Sequence, residues 1–141
     1  MGISIRQTRP EDFNQIAGLL EETGIDITSF TEEKFMAMLE RCREYCFVAE
    51  DKGKITGTVF GVTDGAFIGY IRRLVVTEGC RGQGIGKKLA EAVFEKFGES
   101  SIPLIFANVK KTNEPSLNLF KKLGFEVRDS HYLVDRVYEP K

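Results

Sequence analysis

One stretch constrains this chain more than any other: Arg81-Gly82-Gln83-Gly84-Ile85-Gly86-Lys87-Lys88, three alternating glycines with cations on either side. An apolar run, Leu74-Val75-Val76, precedes it, and a series at helical spacing, Ile85, Leu89, Val93 and Phe97, begins inside it. A strand, a glycine turn and a helix therefore meet at one point. Glycine lacks a Cβ, so a ligand can approach the backbone and positive φ is tolerated. The first N–H groups of a helix lack intrahelical partners and carry the positive end of its dipole, which makes the junction an anion site. Lys87 and Lys88 fall in the first helical turn, where cations are locally unfavourable. No Asp or Glu occurs between Glu78 and Glu91, so that charge is uncompensated unless a ligand supplies the anion. The plainer alternative is a glycine-rich turn with solvated lysines.

Two familiar phosphate loops fail on spacing. The dinucleotide fingerprint G-x-G-x-x-G meets Lys87 where its third glycine belongs. The G-x-x-x-x-G-K-[ST] loop meets Arg81 at its first glycine and Lys88 at its hydroxyl position.

The rest of the sequence bounds the answer. A length of 141 residues points to one domain with a buried core, and 42% hydrophobic with 29% charged residues is ordinary for a globular chain. A net charge of −1 speaks against nucleic-acid binding. No apolar run is long enough to span a membrane. No signal peptide is expected, and Met1-Gly2 does not continue as a myristoylation site because position 6 is Arg. The cysteines, Cys42, Cys46 and Cys80, are odd in number, which suggests reduced thiols and a cytoplasmic protein. Cys42 and Cys46 are four apart but have no histidine nearby, so they read as small buried hydrophobes and no metal site is expected.

Along the chain, Ile3-Ser4-Ile5-Arg6 alternates as a strand. Thr8-x-x-Glu11 reads as a capping box, with Pro10 in the first turn of a helix striped by Phe13, Ile16, Ala17 and Leu20. Residues 23–30 read as a loop. Thr31 caps a second helix with the stripe Phe35, Met38, Leu39 and Cys42. Strands follow at 45–50, 55–62 and 66–77, the first two joined by a turn at Asp51-Lys52-Gly53-Lys54. The Leu74-Val75-Val76 run predicts burial on both faces. A helix over 85–97, a strand over 103–109 and a helix capped by Asn113 and ended by Gly124 come next. Two final strands are expected at 126–128 and 132–138, around Asp129-Ser130. This order fits an α/β (α+β) chain with a single mixed, mostly antiparallel sheet flanked by helices.

The glycine motif resembles the acyl-CoA signature R/Q-x-x-G-x-G/A of the GCN5-related N-acetyltransferase (GNAT) superfamily. Leu74, Val76, Arg81, Gly82, Gly84, Ile85, Gly86 and Leu89 fit that family's wider pattern. Downstream, Val109, Asn113, Leu119, Gly124 and Phe125 fit, while Ser116 and Phe120 depart. The resemblance is close over residues 70–127 and extends to the whole chain by element order. It implies an acyl-CoA N-acyltransferase fold in one domain spanning 1–141, with acetyl-CoA as cosubstrate. It further implies a small-molecule or peptide amine as acceptor, no nucleic-acid or membrane partner, and a monomer or homodimer.

The resemblance also assigns residues. Backbone amides of Arg81, Gly82, Gln83, Gly84, Ile85, Gly86 and Lys87 would hold the CoA pyrophosphate. Leu74, Val75 and Val76 would pair with the pantetheine arm, with the Leu74 N–H as oxyanion donor. Asn113 would hydrogen-bond near the cofactor or simply cap its helix. Phe120 stands where the family often has a tyrosine that protonates the departing thiolate, and Phe has no proton to give. Tyr70 stands where some members carry a glutamate base; it reads as that base or as a structural aromatic. His131, the only histidine, falls at an expected turn. Cys80 borders the anion site, but the family transfers the acyl group directly, without a covalent enzyme intermediate. A CoA-binding regulatory module with weak or no catalysis is the alternative that Phe120 raises, and an unrelated phosphate-ligand protein is the third reading.

Overall fold

The computed structural model describes residues 2–138. It contains β1 (Ile3–Gln7), α1 (Phe13–Glu22), α2 (Glu32–Cys42), β2 (Cys46–Asp51), β3 (Lys54–Thr63), β4 (Ile68–Val76), α3 (Ile85–Glu99), β5 (Leu104–Ala107) and α4 (Glu114–Lys122). The five strands form one sheet in the order β1-β2-β3-β4-β5. Neighbours from β1 to β4 are antiparallel, and β5 joins β4 in parallel. Antiparallel neighbours need only short turns, whereas the parallel pair requires a crossover, which α3 supplies. The β2–β3 turn has Lys52 at φ 51° and Gly53 at φ 81°, the two positive φ values that suit a two-residue hairpin.

Within residues 1–108, helices lie on both faces of the sheet. Phe60 of β3 packs its ring against Phe30 and Phe35, at centroid separations of 6.1 and 6.3 Å. Its neighbour Gly61 faces Val93 of α3. Successive strand residues point to opposite faces, so α2 and α3 cover opposite sides. Three strand glycines let α3 lie close. A Cβ on Gly57 would stand 2.9 Å from Leu89 Cδ1, on Gly61 2.7 Å from Val93 Cγ1, and on Gly69 2.8 Å from the Phe97 ring. The helix presents Ile85, Leu89, Val93 and Phe97, all buried, to this glycine-lined surface.

The start of α1 differs from expectation. The cap sits at Arg9, not Thr8, and Asp12 reaches back to it from the third position of the turn: its carboxylate accepts the Arg9 N–H at 2.7 Å, and its two oxygens take the Arg6 guanidinium at 2.9 and 3.0 Å. The Thr8 hydroxyl is buried without a partner, while its N–H donates to the Cys46 carbonyl. Pro10 opens a 3-10 turn (Pro10–Asp12) that delays the helix and moves the cap one residue on. Burial pushes the Asp12 carboxyl up, but the bonds from Arg6 and the Arg9 N–H outweigh it and hold the group below the ordinary carboxylate range.

By internal packing the chain separates into two compact units, residues 1–108 and 109–141. The second unit contains α4. Asn113 accepts the Ser116 N–H at 3.3 Å as its cap. At the other end Gly124 has φ 92°, its N–H reaches the Lys121 carbonyl, and the Phe125 N–H reaches the Phe120 carbonyl. The two rings meet edge to face at 5.1 Å, which completes the hydrophobic contact that accompanies this helix ending. The two final strands expected at 126–128 and 132–138 are not formed: no described residue after α4 belongs to a strand. A strand exists by pairing its backbone and burying one face. Here Tyr132, Val134 and Tyr138 are 96%, 85% and 84% exposed, so the apolar alternation meets no covering layer. No helix among the described residues is long and apolar enough to cross a membrane.

Candidate active site

The site begins where β4 loses its regularity. Arg72 pairs with Phe60, and the next pair toward the strand end is Val75 with Thr58. Arg73 and Leu74 thus stand together opposite Val59, a one-residue bulge, with Arg73 at φ 52°. A non-glycine residue in that conformation is strained by roughly 1–2 kcal/mol, a strain that bulges near functional sites commonly carry. On the other side of β4 the ladder with β5 ends at the pair Ile71 and Ala107. Beyond it, the backbone of residues 72–76 has no strand neighbour on that side among the described residues. Leu74, Val75 and Val76 are accordingly half-buried, not enclosed on both faces as their apolar run predicts. The opened stretch includes the Leu74 N–H.

The chain then turns through Glu78–Cys80 into the glycines. Thr77 anchors the turn by donating its N–H to the Thr56 carbonyl at 2.8 Å and its hydroxyl to Glu22 at 2.6 Å. The Arg81 Nε donates to the Val76 carbonyl at 3.1 Å, which braces the loop against the strand end. Gly82 and Gly84 have φ 82° and 81°. No described residue accepts the N–H groups of Gly82 through Lys87; the first intrahelical donor is the Lys88 N–H, to the Gly84 carbonyl. At both positive-φ glycines, nothing lies within 4 Å of where a Cβ would stand. The Ile85 side chain is buried in the core, so its contribution to the turn is its N–H. Gln83, Lys87 and Lys88 are exposed and Gly86 is half-buried. Six backbone donors without acceptors, the positive end of a 15-residue helix and two unpaired lysines occur within one turn, a donor set that fits a pyrophosphate.

The other candidate residues lie as follows. Tyr70 is on β4, four residues before Leu74, and its ring stacks on Phe106 of β5 at 5.3 Å. That stack is a structural contact in its own right. In the second unit, Asn113 is exposed at the start of α4 and Phe120 is buried, 7% exposed. His131 is exposed and its Nδ1 pairs with the Ser130 hydroxyl at 3.0 Å. Cys42 and Cys46 are buried, and burial pushes the Cys46 thiol up to about 12, which keeps it protonated and inert.

On the α2 face, a cavity of about 180 Å³ lies beside the bulge. Phe30, Phe35, Phe60 and Val62 supply its apolar lining, and Lys34, Met38, Arg72 and Arg73 complete it. Phe13 stacks on Phe30 at 5.3 Å and holds that loop residue against the cluster. The sequence marks Phe35 and Met38 only as a core stripe; Met38 proves half-buried and open to this cavity.

Comparison with known proteins agrees with this geometry. Residues 11–125 match the model of the acetyltransferase (GNAT) family. A mycothiol acetyltransferase of Thermobifida fusca is 28% identical over 105 residues, covering 67% of this chain; the chain spans 32% of that relative's length. Among solved structures, Ard1 from Thermoplasma volcanium aligns with a TM-score of 0.81 at 20% identity, over 91% of this chain and 85% of that one. Glucosamine-6-phosphate N-acetyltransferase from Arabidopsis thaliana aligns with a TM-score of 0.74 at 21% identity, over 99% and 100%. At these identities the structural likeness is one of fold: a five-stranded mixed sheet flanked by helices, the acyl-CoA N-acyltransferase arrangement. With its opened β4, its glycine turn and a family match over most of its length, the chain belongs to the acetyltransferase (GNAT) family.

Proposed function

We propose that this protein is an acetyl-CoA-dependent N-acetyltransferase that moves an acetyl group to a primary amine by direct attack. One observation carries the reading: a strand opened by a bulge runs straight into a turn whose backbone donors are unfilled. Acetyl-CoA, when bound, supplies the activated acetyl thioester. The N–H groups of Gly82 through Lys87 would bind its pyrophosphate, with Lys87 adding charge. Leu74, Val75 and Val76 would offer backbone groups to its amide-bearing arm. The Leu74 N–H would donate to the acyl oxygen as that oxygen gains charge. Proton removal from the ammonium requires a base, and Tyr70 is the β4 side chain we assign to it, since Arg72 and Arg73 stay protonated. No covalent enzyme intermediate is needed, in keeping with a buried, protonated Cys46.

We place the protein in the cytoplasm, as one catalytic domain acting as a monomer or homodimer. A second reading, a CoA-binding module with little catalysis, draws on Phe120 at the position of the family's usual acid. Release of free CoA from acetyl-CoA, measured against polyamines, aminoglycosides, amino acids and peptide N-termini, separates the two. Amine-dependent release establishes the enzyme. Tight CoA binding with no amine-dependent release establishes the module.

A further inference from the structure

The β4 bulge does something besides opening the backbone. In a regular strand Arg72 and Arg73 would point to opposite faces. With the extra residue and Arg73 at φ 52°, both line the same cavity. Lys34 reaches it from α2. Among the described residues no carboxylate pairs with any of these three cations, and none lines the cavity. The floor beneath them is aromatic and aliphatic. Three uncompensated cations over an apolar floor select a ligand that is anionic at one end and apolar at the other, and they repel polycations. Arg73 adjoins Leu74, so an anion held there lies beside the proposed oxyanion donor. In an α-amino acid the carboxylate and the amine sit on one carbon, which suits so short a separation.

We infer that the acceptor is an amine bearing a carboxylate and an apolar or aromatic side chain, held by Arg72, Arg73 and Lys34 above Phe30, Phe35 and Phe60. This inference rests on the acetyltransferase reading, and its test is separable from that reading. N-acetylphenylalanine, a mimic of the acetylated product, is titrated calorimetrically into the wild-type protein beside N-acetylphenylalaninamide, which lacks only the charge. Charge-assisted bonds to guanidinium groups predict at least about tenfold tighter binding of the acid. Arg72→Gln and Lys34→Gln should each narrow that gap at unchanged melting temperature and unchanged CoA affinity. In turnover, phenylalanine and leucine should exceed their carboxamides and spermidine, compared at equal concentrations of free amine. Equal binding of acid and amide, or no binding of either at millimolar concentration, overturns the inference while CoA binding keeps the parent reading intact. Better turnover of spermidine overturns it too. Loss of CoA binding altogether would instead sink the parent reading.

Discussion

Gly84 and Gly61 are two glycines that the structure assigns to different tasks, and substituting each by alanine separates site from scaffold. At Gly84 the new Cβ meets nothing within 4 Å, so the unliganded fold bears only the backbone strain of φ 81°, roughly 1–2 kcal/mol. The methyl group, however, projects into the open space before the unfilled N–H groups, and relief of the strain would rotate those donors away. Losing two charge-assisted hydrogen bonds at about 1.5–3 kcal/mol each weakens CoA binding by roughly 10²–10⁴-fold. At Gly61 the Cβ would stand 2.7 Å from the Tyr45 carbonyl and 2.7 Å from Val93 Cγ1. Backbone cannot yield as a flexible side chain would, so about 1–3 kcal/mol or more of stability is lost. The folded fraction of Gly61→Ala should still bind CoA with near wild-type affinity. Urea denaturation and calorimetric titration of both variants check this. Wild-type CoA affinity in a folded Gly84→Ala protein would refute the assignment of the turn, and wild-type stability of Gly61→Ala would refute the close docking of α3.

Asp12 sets an acid limit. Its folded pKa lies below the unfolded value, so its stabilisation is present at neutral pH and is lost as pH falls through the folded pKa. Chemical denaturation between pH 7 and 3 should show this slope, and Asp12→Asn should flatten it while lowering neutral stability by about 1–3 kcal/mol, the usual cost of losing charge-assisted hydrogen bonds in a part-buried pair. Lys87→Glu should weaken CoA binding, and wild-type affinity should fall with added salt; a salt-independent dissociation constant removes charge capture from the account. Phe120→Tyr adds a hydroxyl to a buried ring at about 1–3 kcal/mol if unpaired. In a folded variant kcat should hold or rise, and a collapse of kcat would show Phe120 to be an apolar wall. Tyr70→Phe at unchanged CoA affinity should remove most of the activity if Tyr70 is the base; full activity would leave it as Phe106's stacking partner.

What the sequence made legible was local. Ile85, Leu89, Val93 and Phe97 repeat at one helical spacing, and α3 buries all four. Thr31 caps α2, Lys52-Gly53 turns the hairpin, and Gly124 with Phe125 ends α4, because each needs only near neighbours in the chain. Gly57, Gly61 and Gly69 were readable in principle, since a glycine inside a strand often marks close approach of another element. The bulge was not readable, because nothing about arginine announces a left-handed backbone at Arg73. That conformation comes from register between β3 and β4, a tertiary property, and the gathering of Arg72, Arg73 and Lys34 depends on it. The Thr8 capping box failed for a similar reason: Arg6, a strand residue, holds Asp12 and shifts the cap. The alternation at 132–138 predicts a strand, but alternation does not supply the partner that makes one.

If the protein is the acetyltransferase proposed, the Gly82–Lys87 turn binds the pyrophosphate of acetyl-CoA. Calorimetric titration of the wild-type protein with acetyl-CoA, beside ATP and NAD, tests it most directly. Acetyl-CoA should bind saturably at one site, in preference to both nucleotides, with a rise in melting temperature that grows with ligand concentration. No heat and no thermal shift at millimolar acetyl-CoA, or a preference for ATP or NAD, would contradict it.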